Sequence, residues 1–223
     1  MTKPICIIFD LDGTLVDSAP DRAATGNELL RRRGRETVSL DDVRSMVGKG
    51  ALVLMDKMMA ATGTPASREE LKDMLPEYLE HYGANISANT VPFPGVREAL
   101  NALAAREVML GVCTNKFEEL SHSLLHQLEL SHYFSVVLGG DSLPVRKPDG
   151  GHVLGTIERI GGDPARSIMV GDSHNDIDAA LDAGVKSIAV SFGYTDIPPR
   201  ELGADHVIDH FDELIPAIDR LLG

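Results

Sequence analysis

Cysteine and basic charge are scarce in this sequence, and long apolar runs are missing from it. The two cysteines among 223 residues, Cys6 and Cys113, exclude a disulfide framework, and no Cys/His cluster has the spacing of a zinc site. Each sits in an apolar, strand-like run, where a free thiol packs as a small hydrophobe. If Asp10 and Thr114 both mark strand ends, the two thiols are staggered by about 10 Å, beyond disulfide reach. Lysine and arginine total 21 against 34 aspartates and glutamates, a net charge of −13. That balance repels polyanions and argues against nucleic-acid binding, while a small phosphorylated metabolite remains possible at a site with local positive charge or a metal. The apolar runs fall far short of the roughly 20 residues that span a bilayer, so no membrane partner is expected. No basic-plus-apolar leader opens the chain, and a reducing cytoplasm is the expected location. The composition leaves monomer and homodimer both open.

The sequence is 43% hydrophobic, enough for one large core or two modest ones. Short β-rich runs occur at Ile5 to Phe9, Val108 to Cys113, Val136 to Leu138, Ser167 to Val170, Ser187 to Val190 and His206 to Ile208. Helical periodicity fills most of the gaps, as in Val96 to Ala105, Phe117 to Leu128, Val153 to Ile160 and Asp176 to Ala183. This alternation predicts an α/β fold, a doubly wound, mostly parallel, Rossmann-like sheet, with ligands bound beyond the carboxyl ends of its strands.

One region lacks strands. Between about Ser18 and Gly83 the pattern is helical throughout, with segments at Ala19 to Arg33, Leu40 to Met46, Ala51 to Ala61 and Arg68 to Tyr82. Ser18 and Asp21 read as a capping box for the first of these, and Arg31 to Arg33 as its solvated C-terminal end. The predicted organisation is therefore an α/β core over 1–17 and 89–223, with an all-helical cap over 18–88 inserted after the first strand. The stretch Ala84 to Val96 is poor in periodicity and reads as a linker, and two linkers, near Leu15 to Ser18 and near Asn89 to Gly95, would let the cap rock like a lid.

Four polar clusters follow four strands: Asp10-Leu11-Asp12-Gly13-Thr14, Thr114-Asn115-Lys116, Lys147-Pro148, and Gly171-Asp172-Ser173 with Asp176 a turn later. In a parallel sheet these ends converge on one crevice. Taken singly, Gly171 to Ser173 reads as a turn, Thr114-Asn115 as a helix cap, and Lys147 as a surface lysine. The Asp10-x-Asp12 pair beyond an all-apolar strand has no packing rationale. Asp10, Asp12 and Asp172 cannot share a dry site without a countercharge, and oxygen donors without a Cys or His pair point to Mg²⁺. Backbone N–H groups at Gly13 and Thr14 could cradle an anion, Thr114 could bond a phosphoryl oxygen, and Lys147 could neutralise it. The set suits phosphoryl transfer.

These motifs resemble those of the haloacid dehalogenase superfamily of phosphohydrolases: D-x-D-x-T, a later Thr and Lys, and G-D-x-x-x-D. The stretches FDLDGTLVDSAPD, MVGKGA, PFPGV, GGDSLPVRKP, VGDSHNDIDAALDAG and FGY are similar to those of its bacterial members that cleave 2-phosphoglycolate. The resemblance implies Asp10 as nucleophile and Asp12 as general acid and base. It implies Mg²⁺ on the Asp10 carboxylate, the Asp12 carbonyl and Asp172, with Ser173 and Asp176 supporting that site from outside. Substrate binding would fall to Gly13, Thr114, Asn115 and Lys147. In the cap loop Val47 to Gly50, Lys49 is weighed between a contact for a substrate carboxylate and a solvated helix-start lysine. His152 and His174 match no functional position and are expected at the rim, and the Asp149-Gly150-Gly151 that follows Lys147-Pro148 departs from the relatives' proline-rich loop. Other capped phosphatases or pyrophosphatases, a sugar-phosphate mutase, and a non-enzymatic phospho-receiver module are the competing readings.

Overall fold

A computed structural model describes residues 4–106, 108–195 and 197–223. Six strands make one parallel sheet: β1 (Cys6–Phe9), β4 (Met109–Cys113), β5 (Val136–Leu138), β6 (Ser167–Gly171), β7 (Lys186–Val190) and β8 (His206–Ile208), in the order β5-β4-β1-β6-β7-β8. Each coincides with an apolar run predicted from sequence, because a strand covered on both faces must be apolar almost throughout. The two-residue strands β2 (Val16–Asp17) and β3 (Val91–Pro92) form a separate antiparallel ribbon.

Alternation along β1 sorts the core into two layers. Ile7 and Phe9 face a cluster that includes Leu100 and Leu103 of α5 (Val96–Ala104), Leu124 and Leu125 of α6 (Glu118–Gln127), and Ala217 and Ile218 of α9 (Leu214–Leu222). Cys6 and Ile8 face the opposite way, against Val153 and Ile157 of α7 (Gly150–Ile160) and Ala179 and Ala180 of α8 (His174–Asp182). Both cysteines are free and buried, as expected, and burial pushes the Cys113 thiol up to about 12. Phe9 is registered beside Val112 on one side and Val170 on the other, so the ends of β1, β4 and β6 lie level. Chain order reverses across the β1/β6 boundary, which is where such sheets open a crevice.

Four helices, α1 (Ala19–Arg32), α2 (Leu40–Met46), α3 (Ala51–Ala61) and α4 (Arg68–Ala84), form the inserted block. Leu29, Leu54, Met55, Met58, Tyr78 and Tyr82 are buried within it. Ser67 and Glu70 close a capping box on α4. Among the described residues, no helix is long and apolar enough to cross a membrane.

Three expectations need correction. Ser18 does not cap α1: its backbone is helical rather than extended, and its hydroxyl donates to Asp12 Oδ1 at 2.5 Å. Asp21, its expected partner, instead accepts from the Asn89 and Thr90 backbone N–H groups and from both their side chains at 2.8–3.0 Å. Nor is the stretch Ala84 to Val96 without regular structure, since Pro92 pairs with Val16 and Val91 with Asp17; strands of two residues are too short to show periodicity. His152 is fully buried rather than at the rim, because α7 packs that face onto the sheet; His174 is half-buried.

Candidate active site

The turn after β1 answers how two carboxylates one residue apart can serve one crevice. Asp10 N–H donates to Val170 O at 2.9 Å and is still in register with the sheet. The Leu15 and Val16 N–H groups then both return to Leu11 O, and Gly13 N–H donates to Val16 O. This tight reversal places Asp10 and Asp12 in the same buried space. Gly13 has φ +93°, and a Cβ there would collide with the Asp172 carboxylate and lie 2.8 Å from the Tyr194 ring.

Asp10 belongs to a group of three buried carboxylates and one buried ammonium. Lys147 Nζ lies 2.9 Å from Asp10 Oδ1 and donates to Asp176 Oδ1 at 2.6 Å. Asp176 Oδ2 accepts from Asp172 N, Ser173 N and Ser173 Oγ at 2.8–3.2 Å, which closes a capping box on α8. Asp172 accepts from Tyr194 N at 2.6 Å and from Thr14 Oγ1 at 3.3 Å. Burial pushes Asp10 up to about 6 against the pull of Lys147, and Asp176 and Asp12 add to the rise. Burial, then the charges of Asp176 and Asp10, raise Asp172 well above the carboxylate range. Lys147 is held cationic: burial opposes the charge, but Asp10 and Asp176 outweigh it. Ionised together, the four groups carry an excess of two negative charges. Ligand oxygens of Asp10, Asp172 and Asp176 lie within 4.8 Å of one another. An all-oxygen, doubly negative cluster fits a hard divalent cation such as Mg²⁺.

Asp12 faces a different set. Arg22 Nη2 pairs with Oδ2, and Lys116 Nζ lies 3.2 Å from Oδ1. Burial opposes its charge, yet Arg22, Lys116 and Ser18 hold the carboxyl well below the ordinary range. Lys116 is pushed down to about 7 by burial, with Asp12 opposing and Arg22 reinforcing the shift. The Tyr82 ring holds both cations, with the Arg22 guanidinium 5.4 Å and Lys116 Nζ 4.4 Å from its centroid; the ammonium also donates to the Tyr82 hydroxyl. Sequence reasoning assigned no role to Arg22, Lys116 or Tyr82. A signal existed for Arg22: it lies on the stripe Ala19, Ala23, Gly26, Leu30 that α1 buries, in the first turn, where the helix dipole disfavours a cation.

Thr114 is buried, with its N–H bonded to Leu138 O and its hydroxyl accepting from Lys116 N. Asn115 Nδ2 donates to Lys147 O at 3.0 Å and to Gly48 O of the cap loop at 3.2 Å, so it joins three segments. Asp10, Asp12, Arg22, Gly48, Gly50, Thr114, Asn115 and Lys116 line a narrow, partly open space between the core and the cap loop. Lys49 is exposed and does not line that space; it lies on an adjoining groove of about 290 Å³ together with Asn115, Arg146, Lys147, His174 and Asn175. His152 is pushed down to about 4 by burial and then by Lys147, and is neutral at pH 7.

The family model for haloacid dehalogenase-like hydrolases matches residues 7–190. Phosphoglycolate phosphatases of Agrobacterium fabrum and Caulobacter vibrioides are 46% and 44% identical over 95% and 97% of this chain, and 91% of each relative is covered. A crystal structure from Haemophilus somnus, described as a predicted phosphoglycolate phosphatase, superposes with a TM-score of 0.89 at 33% identity, covering 97% of this chain and 99% of that one. With its parallel sheet, helical cap and acidic crevice, the chain belongs to the haloacid dehalogenase-like hydrolase family.

Proposed function

We propose that the protein is a Mg²⁺-dependent phosphomonoesterase that hydrolyses 2-phosphoglycolate to glycolate and phosphate through a phosphorylated Asp10. The observation that carries this reading is the division of the crevice: Asp10 stands among Lys147, Asp172 and Asp176, while Asp12 is held apart by its own cations. In the first step an Asp10 carboxylate oxygen bonds to phosphorus, the bond from phosphorus to the glycolate oxygen breaks, and Asp12 protonates that oxygen; Asp12 must enter this step as the carboxylic acid, although Arg22 and Lys116 favour its ionised form without substrate. In the second, water attacks the phosphorus, the bond from phosphorus to the Asp10 oxygen of the acyl phosphate breaks and frees the carboxylate, and Asp12 takes the proton from the water.

Lys147 offsets charge on the phosphoryl oxygens and the Thr114 hydroxyl supplies a donor, whereas the Gly13 N–H, expected from sequence to cradle an anion, is taken by Val16 O in the turn. Asp10, Asp172 and the Asp12 carbonyl would hold the metal, whose charge screens the nucleophile from the phosphoryl group. Asp176 suits a supporting place, since its Oδ2 already serves three donors and its Oδ1 serves Lys147. The substrate is carried over from the relatives named above. Gly48 and Gly50 of the cap loop line this space together with the core residues, so movement of the cap is the expected route of entry. Every group in the scheme comes from one chain, and two buried free thiols suit the cytoplasm.

Phosphate release from a panel of small phosphate esters, with Mg²⁺ and with chelator, tests the reading. Preference for 2-phosphoglycolate and loss of turnover on chelation are expected. Equal rates with and without the metal remove the metal role. Phosphate retained on the protein or passed to a second sugar phosphate would favour a mutase.

A further inference from the structure

Two cations and one carboxylate are buried together on the cap side of the crevice. Among the described residues, Asp12 is the one carboxylate in ion-pair contact with Arg22 or Lys116, so that side carries one positive charge in excess whenever Lys116 is protonated. Burying such an excess is costly unless an anion completes the group. The phosphoryl dianion has its own partners across the crevice, in Lys147 and the metal cluster. The two cations are instead fixed around the group that protonates the leaving oxygen.

In 2-phosphoglycolate that oxygen is one carbon away from a carboxylate. When Asp12 reaches the ester oxygen, the carboxylate of the leaving group lies about a hydrogen-bond length beyond it, where groups bonded to Asp12 can meet it. We propose that Arg22 and Lys116 form the subsite that binds the substrate's carboxylate and so determine specificity. The guanidinium offers N–H groups beyond the one on Asp12, Lys116 offers a second cation, and the Tyr82 ring holds the two side by side despite their like charge. Arg22 and Tyr82 come from α1 and α4, and Lys116 from the loop after β4, so the subsite is complete only with the cap against the core. Lys49 lies on the adjoining groove with Asn115 and Lys147 and is not among the cations paired with Asp12.

This inference rests on 2-phosphoglycolate as substrate, and its test separates the two. Steady-state kcat/KM is measured for 2-phosphoglycolate and for 2-hydroxyethyl phosphate, which replaces the carboxylate with an uncharged hydroxymethyl group, on the wild type and on Arg22→Gln, Arg22→Lys and Lys116→Gln. The ratio between substrates is the readout, because any disturbance of Asp12 lowers both. The wild type is expected to favour 2-phosphoglycolate, and each Gln variant to reduce that preference roughly 10- to 100-fold, the worth of a hydrogen bond to a charged group. Arg22→Lys, which keeps the charge, is expected to recover part of it. Equal losses on both substrates would overturn the subsite and leave Arg22 and Lys116 as positioning residues for Asp12. A wild type without preference would overturn the substrate reading itself, and the subsite with it. Should Arg22→Gln not fold, as judged by its melting curve, Lys116→Gln decides alone.

Discussion

Asp10 and Asp12 are chemically identical side chains two positions apart, and their surroundings give them opposite character. Asp10 is crowded by carboxylates and has its charge opposed by burial, whereas Asp12 sits between a guanidinium and an ammonium. The environment needed to separate two such roles is supplied from elsewhere in the chain, since Lys116 is 104 residues from Asp12 and Lys147 is 29 from Asp176. If Asp10 is the nucleophile, Asp10→Asn removes the attacking oxygen's charge while keeping its shape. Phosphate release is expected to fall by about 10⁴-fold, in line with other nucleophile deletions, with the melting temperature preserved or raised as burial of a charge is relieved. Turnover near the wild-type rate would take Asp10 out of that role.

At the scale of elements, the root of the cap is held by α1 rather than by its linkers' stiffness. Asp21 gathers five hydrogen bonds from Asn89 and Thr90, joining the start of α1 to the strand that returns to the sheet. Burial opposes its charge, but those donors lower its pKa below the ordinary carboxylate value. A depressed folded-state pKa adds stability above the unfolded value, near 4, and that increment fades as pH falls through the folded value. Asp21→Asn is therefore expected to cost about 1–3 kcal/mol at pH 7 in urea titrations, and progressively less toward pH 3. A penalty that stays constant with pH would assign the effect to packing instead. The hinge also marks where sequence reading stopped. Six sheet strands were legible because each is a buried apolar run, and the acidic motifs because nothing in packing explains a carboxylate pair after such a run. The ribbon of Val16–Asp17 and Val91–Pro92 was not, since two-residue strands carry no period. Ser18 misled because a Ser before a helix looks alike whether it caps that helix or binds Asp12. Arg22 and Lys116 gained meaning only when folding brought their partner to them.

The whole molecule carries −13, and its proposed substrate is an anion. Cations at the site are local and buried, while the long-range field is negative, so encounter at low salt works against repulsion. With free Mg²⁺ held constant, kcat/KM for 2-phosphoglycolate is expected to rise by a few-fold as KCl is raised from about 10 to 150 mM, where the Debye length shortens from roughly 30 to 8 Å. A fall over that range would mean that the local cations dominate approach, as in enzymes that steer their substrates.

Tyr194 spans the distance between chemistry and joint. Its N–H holds Asp172 Oδ2, while its hydroxyl donates to Asp17 Oδ1 at 2.6 Å and accepts from Ala19 N–H at 3.0 Å. One residue thus ties the carboxylate loop after β6 to the ribbon and to the first turn of α1. In mechanical terms the root of the cap is pinned to the floor of the crevice rather than hung from a loose strap. If the cap opens, a joint pinned in this way is expected to bring Arg22 back to the same place over Asp12.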